Sequence, residues 1–132
     1  MDLLEQLMQS PITLESLQRF QKAYDKKFVD DEFTGFPKVR HTYAHMGNLF
    51  GRLAKYVQMI EDRHDFSPDE IKKKVIPDLL VYSNWLADVF NVNVQEAYVD
   101  RILDNMQRLH KDKMSSAEII ELEREIEKRA KR

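Results

Sequence analysis

His41 and His45 stand four apart in "HTYAH", the spacing that sets two imidazoles on one face of a helix, where they suit a divalent metal. Asp78, further along the chain, is the candidate oxygen ligand to join them. The glutamate of the H-E-x-x-H metalloprotease signature is missing between the histidines, and spacing supplies no third ligand. A second constellation is Tyr98, Arg101, Asn105 and Arg108, which recur at helical spacing. Two guanidiniums, an amide and an aromatic ring can hold a polyphosphate and stack a base, so a nucleotide is the candidate ligand there. The same spacing also describes the solvent face of an amphipathic helix. Between the two, "HMGNLFGRLA" (His45 to Ala54) continues the first stripe through Asn48 and Arg52 to Lys55 and carries Gly47 and Gly51. Its polar side chains include no carboxylate. With no cysteine the chain has no disulfide, thiolate zinc site or thiol nucleophile, and it lacks a Walker loop, a G-x-S-x-G elbow and a G-x-G-x-x-G fingerprint.

Helices must position these residues. Only 3 glycines and 4 prolines occur, and apolar residues recur at helical spacing with no convincing strand pattern, so the chain reads as all-α. A short helix is expected over Asp2 to Gln9 and a second after Thr13, with Leu14, Leu17, Phe20, Gln21 and Tyr24 on one side. "FVDDEFTGF" (Phe28 to Phe36) is a loop, and Pro37 fits the first position of a third helix. There Val39, Tyr43, Met46, Phe50, Leu53, Val57 and Ile60 alternate spacings of four and three, a seam of period 3.5 that should be buried. Gly47 and Gly51 should let a neighbouring helix approach closely. Ser67-Pro68-Asp69-Glu70 reads as a capping box, Pro77 as a kink or fresh start near Ile76, and "DLLVYSNWLADVF" (Asp78 to Phe90) as the central core helix. Asn93 to Glu96 offers another capping box, and Ser115 or Ser116 caps a last helix with Ile119, Leu122 and Ile126 on a narrow stripe and Glu125 and Arg129 paired at i,i+4.

The 132 residues suit one domain: residues 1–36 as N-terminal helices and loop, 37–111 as the core, and 115–132 as a charged C-terminal helix. The net charge of -2 argues against DNA or an acidic membrane as partner. No apolar run reaches the roughly 18 residues of a membrane span, and "MDLLEQLMQS" places acids where a secretory signal has bases, so a cytoplasmic location is expected.

From about Val39 to Arg108 the order of features resembles the MazG-like, all-α nucleoside triphosphate pyrophosphohydrolase superfamily. In that family one helix carries E-E-x-x-E, the next carries E-x-x-D, and dimerisation completes a four-helix core. The carboxylates hold magnesium, which positions a water and neutralises the triphosphate during cleavage to monophosphate and pyrophosphate. Setting Gly51, Leu53 and Ala54 on the family's G-E-L-A places the three glutamate positions on Asn48, Leu49 and Arg52. "DLLVYSNWLADVFNVN" is similar to D-v-l-i-Y-x-x-x-L-A-x-x-l-g-i-D and places the E-x-x-D pair on Val75 and Asp78, of which Asp78 alone is acidic. Arg101, Asn105 and Arg108 match K-x-x-x-N-x-x-R, which contacts phosphates in relatives, with arginine for lysine.

The resemblance implies an all-α MazG-like bundle completed by homodimerisation, with a degenerate metal site in which Arg52 pairs with Asp78. It favours a non-catalytic homodimer that binds a nucleotide or a protein and needs no cofactor. The alternatives are a magnesium-dependent pyrophosphohydrolase with a site rebuilt around Asp78, drawing on His45 or on Asp30, Asp31 and Glu32, and a purely structural oligomerisation module.

Overall fold

The computed structural model describes residues 2–132, and these form six α-helices with no strand among them. The starts of α1 (Leu3–Met8) and α2 (Leu14–Phe28) are fixed by reciprocal caps: Asp2 with Glu5, and Thr13 with Ser16. Gly35, at φ +59, turns the chain into α3 (Phe36–Glu61) through a conformation that side chains with a Cβ disfavour. Pro37 is the second residue of that helix, where its lack of an N–H costs nothing.

Ser67 does not cap as the sequence suggested. Its hydroxyl accepts from the Asp69 N–H at 3.2 Å, while Glu70 turns to Arg52 of α3. The helix then widens over Ile71–Val75, where the Ile76 N–H reaches back five residues to the Ile71 carbonyl. This answers Pro77, whose ring would crowd a carbonyl in an ordinary α-turn. The helical path runs on into α4 (Ile76–Phe90) without a break. Asn91, in the left-handed conformation at φ 55, ends α4, and the Ala87 carbonyl accepts from both Asn91 and Val92.

The chain divides into two compact units, one running to Val92 and the other Asn93–Arg132, a division inside the 37–111 stretch. In the first, α1 packs on α2, α2 on α4, and α3 on α4. Its buried apolar residues are Leu49, Val75, Trp85 and Ala87, and its buried polar ones are Gln21, Asp25, Lys38, Thr42 and Asn84. In the second, α5 (Val94–Leu109) and α6 (Ser116–Ala130) pack together with Leu122 buried, joined through a tight turn at Lys111–Lys113. Asn93 caps the Glu96 N–H, and Ser115 forms a full capping box with Glu118. Glu96 itself does not return the bond to Asn93 but reaches Arg129 and Arg132 of the α6 end. No helix among the described residues is long and apolar enough to cross a membrane.

Most of the α3 seam is left uncovered within the chain, contrary to its pattern, with Val39 and Met46 half-buried. Tyr43 is 79% exposed and Phe50 56%, and Leu53, Val57 and Ile60 are exposed as well. The buried residues of α3 are Lys38, Thr42 and Leu49, each one position before a seam residue. One residue is about 100° of helix rotation, so α3 turns a different face inward and leaves most of the seam outside.

Candidate functional site

Of the positions expected to carry metal ligands, Leu49 and Val75 are core residues, 4% and 1% exposed. Asn48 is exposed. Arg52 does not pair with Asp78; its Nη1 lies 3.1 Å from Glu70 Oε1 in an ion pair open to solvent. Asp78 sits in the first turn of α4, where the helix dipole favours a negative charge, and it is half-buried. Burial, and secondarily the charge of Asp78, pushes the Tyr82 phenol above its ordinary value. Magnesium needs several hard oxygen ligands, and two buried aliphatic side chains with a paired guanidinium do not fit it. Among the described residues no three His, Asp or Glu side chains group as metal donors.

His41 and His45 belong to an aromatic stack. The His41 ring lies 4.3 Å from Phe33, 4.2 Å from His45 and 5.5 Å from Trp85, and His45 stacks on Tyr82 at 5.1 Å. Burial first, then the neighbouring His45, holds His41 below the ordinary imidazole value, against a weaker upward pull from Glu32. Both causes favour the neutral ring. Trp85 Nε1 and Asn84 Oδ1, both buried on α4, have no hydrogen-bond partner among the described residues.

A buried ionic cluster centred on Lys38 is not foreshadowed by the motifs of the sequence. Lys38, 1% exposed, extends its Nζ to three carboxylates: Asp88 at 3.0 Å, Asp30 at 3.1 Å and Asp25 at 3.3 Å. The ammonium also lies 5.5 Å from the centre of the Trp85 ring, and Gln21 donates to Asp25 at 2.8 Å. Burial alone would lower the Lys38 pKa, but the carboxylates outweigh it and raise the value. Asp25 is raised by burial against the opposing bonds from Gln21 and Lys38. The cluster ties α2, the loop after it, α3 and α4 together. One signal was present: Asp88 is a lone charge late in the apolar run of α4, and such a charge needs a partner.

In the second unit Asn105 and Arg108 come together, with Arg108 Nη2 donating to Asn105 Oδ1 at 2.9 Å. Asp104, which the sequence reading passed over, accepts from Arg108 Nε at 2.8 Å and from Arg101 Nη1 at 3.4 Å. The stripe is thus partly neutralised from within. Tyr98 is 58% exposed on the same helix. The Arg129 guanidinium is taken up by Asp100 at 2.6 Å and Glu96 at 2.7 Å, with the expected Glu125 contact a longer 3.9 Å.

An apolar groove opens on the first unit. Val39, Tyr43, Met46 and Phe50 of α3, with Leu86 and Phe90 of α4, line this open groove of about 580 Å³. A Cβ built on Gly47 or Gly51 meets nothing within 4 Å, so neither glycine admits a neighbouring helix of its own chain. The residues brought together are thus a buried charge cluster, a histidine and aromatic stack, and an apolar face. Comparison with known protein families, with characterised proteins and with solved structures gives no match to this chain.

Proposed function

We propose that the chain is a non-catalytic relative of the MazG-like pyrophosphohydrolases, a homodimer that binds a protein or nucleotide partner and leaves triphosphates intact. The observation that carries this reading is the burial of Leu49 and Val75, 4% and 1% exposed, where the resemblance expects carboxylates. An ionised carboxylate in either place would need a metal or a cation to offset its desolvation, and the apolar side chains contribute packing instead. A rebuilt hydrolytic site draws little support from the loop acids, because Asp30 is bound to Lys38 at 3.1 Å.

Binding is supported by the open α3 face, since an apolar surface of this kind on a soluble domain marks an interaction site. Nucleotide binding has a narrower basis in Arg101, Asn105 and Arg108, where a phosphate must compete with Asp104. The test is pyrophosphate release from a panel of ordinary and damaged nucleoside triphosphates with magnesium present. No turnover above the buffer rate is expected. Steady turnover that Asp78→Ala abolishes would overturn the reading.

A further inference from the structure

The outward face of α3 is complementary to itself. Arg40, Gly47, Ala54 and Glu61 are spaced by seven and lie along one line of the helix, away from the buried Lys38, Thr42 and Leu49. Tyr43, Phe50 and Val57 flank that line on one side, and Ala44 and Gly51 flank it on the other. All of these residues are exposed. We infer that this face is the contact between two copies of the chain, with the two α3 helices packed antiparallel across a two-fold axis between Phe50 and Gly51. Resting on the homodimer reading, it adds the surface and the register.

Four relationships favour a second copy over another occupant. In this register Arg40 of each protomer meets Glu61 of its partner, and Gly47 meets Ala54. On the apolar flank Tyr43 meets Val57, and the two Phe50 rings meet at the axis. Every pair is reciprocal, as a two-fold interface demands.

The charges point the same way. Arg40 lies toward the α3 N-terminus, and Glu61 and Asp62 lie at its C-terminus, with no acid in the first turn and no base in the last. That arrangement opposes the helix's own dipole and suits an antiparallel neighbour. Arg40 sits over the Phe36 ring at 5.1 Å, and neither it nor Glu61 forms an ion pair among the described residues.

The glycines supply an independent reason. Two mid-helix glycines weaken α3, and nothing within the chain needs their small size. Beside Ala44 and Ala54 they let a partner backbone come close, at the short end of helix packing distances. The partner's Phe50 and Val57 then lie against the groove beside α4, which spans about 580 Å³.

The experiment is sedimentation equilibrium of the full chain. The expected mass is twice the 15.7 kDa of one chain. Gly47→Leu and Gly51→Leu should each return the single-chain mass with helicity kept or raised, because the added side chains meet open space in the monomer. Arg40→Glu should weaken the dimer and Glu61→Arg in the same chain should restore it. Gly47→Cys with Ala54→Cys should yield an oxidised dimer, since positions seven apart on a helix lie about 10 Å apart, too far for a disulfide within one chain. A dimer indifferent to both leucine variants, or one that Gly47→Cys alone cross-links, would overturn this surface and leave the homodimer reading standing. A wild-type monomer throughout the concentration range would overturn both.

Discussion

Lys38 Nζ lies 3.0 Å from Asp88 Oδ2, joining the start of α3 to the end of α4 across fifty positions of sequence. The ammonium is almost fully buried, and Asp25 and Asp30 complete its surroundings. Three carboxylates around one ammonium leave an excess of negative charge, part of it met by Lys22 at 3.9 Å from Asp88. The pairings therefore depend on each other, and removing the centre leaves carboxylates facing one another without a cation.

Lys38→Met is accordingly expected to destabilise the chain by about 3–5 kcal/mol, the usual cost of breaking a buried pair on one side only. Asp30→Asn, at the more exposed edge of the cluster, should cost much less. Urea unfolding followed by circular dichroism reads both. Equal midpoints for the two variants would show that Lys38 does not organise this end of the bundle.

The same group sets an alkaline limit. A lysine raised above its ordinary 10.5 on folding contributes stability that is complete below that value and lost as the pH climbs through the raised one. Melting temperature should therefore fall above about pH 10.5, more steeply in the wild type than in Lys38→Met.

His41 acts at the acid end with the opposite sign. Its folded value is lowered from 6.5 by burial and by His45, so its contribution is full above 6.5 and is lost as the pH falls through the lowered value. Asp25, raised by burial, works the other way and is easier to protonate in the folded chain. A thermal melt series from about pH 7 to about pH 5 should show the wild type losing stability and His41→Phe losing less. Parallel curves would refute the role of His41.

Local sequence signals carried much of this architecture. Asn93 and Ser115 cap α5 and α6 as their positions suggested, Asp2 and Thr13 prove to cap α1 and α2 as well, and the apolar periodicity gave the helices. Orientation was less legible. The α3 seam has the period of a buried stripe, but periodicity does not say whether the covering helix belongs to the same chain. Lys38 and Asp25 were hidden for another reason: their partners are distant in sequence, and short-range patterns do not report a burial created by tertiary packing. Arg52 was expected to cross to Asp78 but finds Glu70, which the failed reciprocal cap at Ser67 leaves available.

Asp104→Asn tests whether the arginine stripe recognises phosphate. The aspartate takes both Arg101 and Arg108, so removing its charge should free two guanidiniums and strengthen triphosphate binding by roughly tenfold, about 1.4 kcal/mol. Calorimetric titration with a nonhydrolysable triphosphate measures this, and Arg108→Ala should remove the gain. If Asp104→Asn binds no better than the wild type, the stripe is only a solvated helix face.

Leu49 and Arg52, three residues apart on α3, should answer mutation very differently. Leu49 is buried, so Leu49→Ala should cost about 2–5 kcal/mol through lost burial and a cavity. Arg52 pairs with Glu70 in the open, and Arg52→Ala should cost less than about 1 kcal/mol. Differential unfolding of the two variants thus asks what holds this stretch of α3 in place. A large loss at Arg52 with little at Leu49 would mean that charge pairing, rather than hydrophobic packing, holds this part of α3 in place.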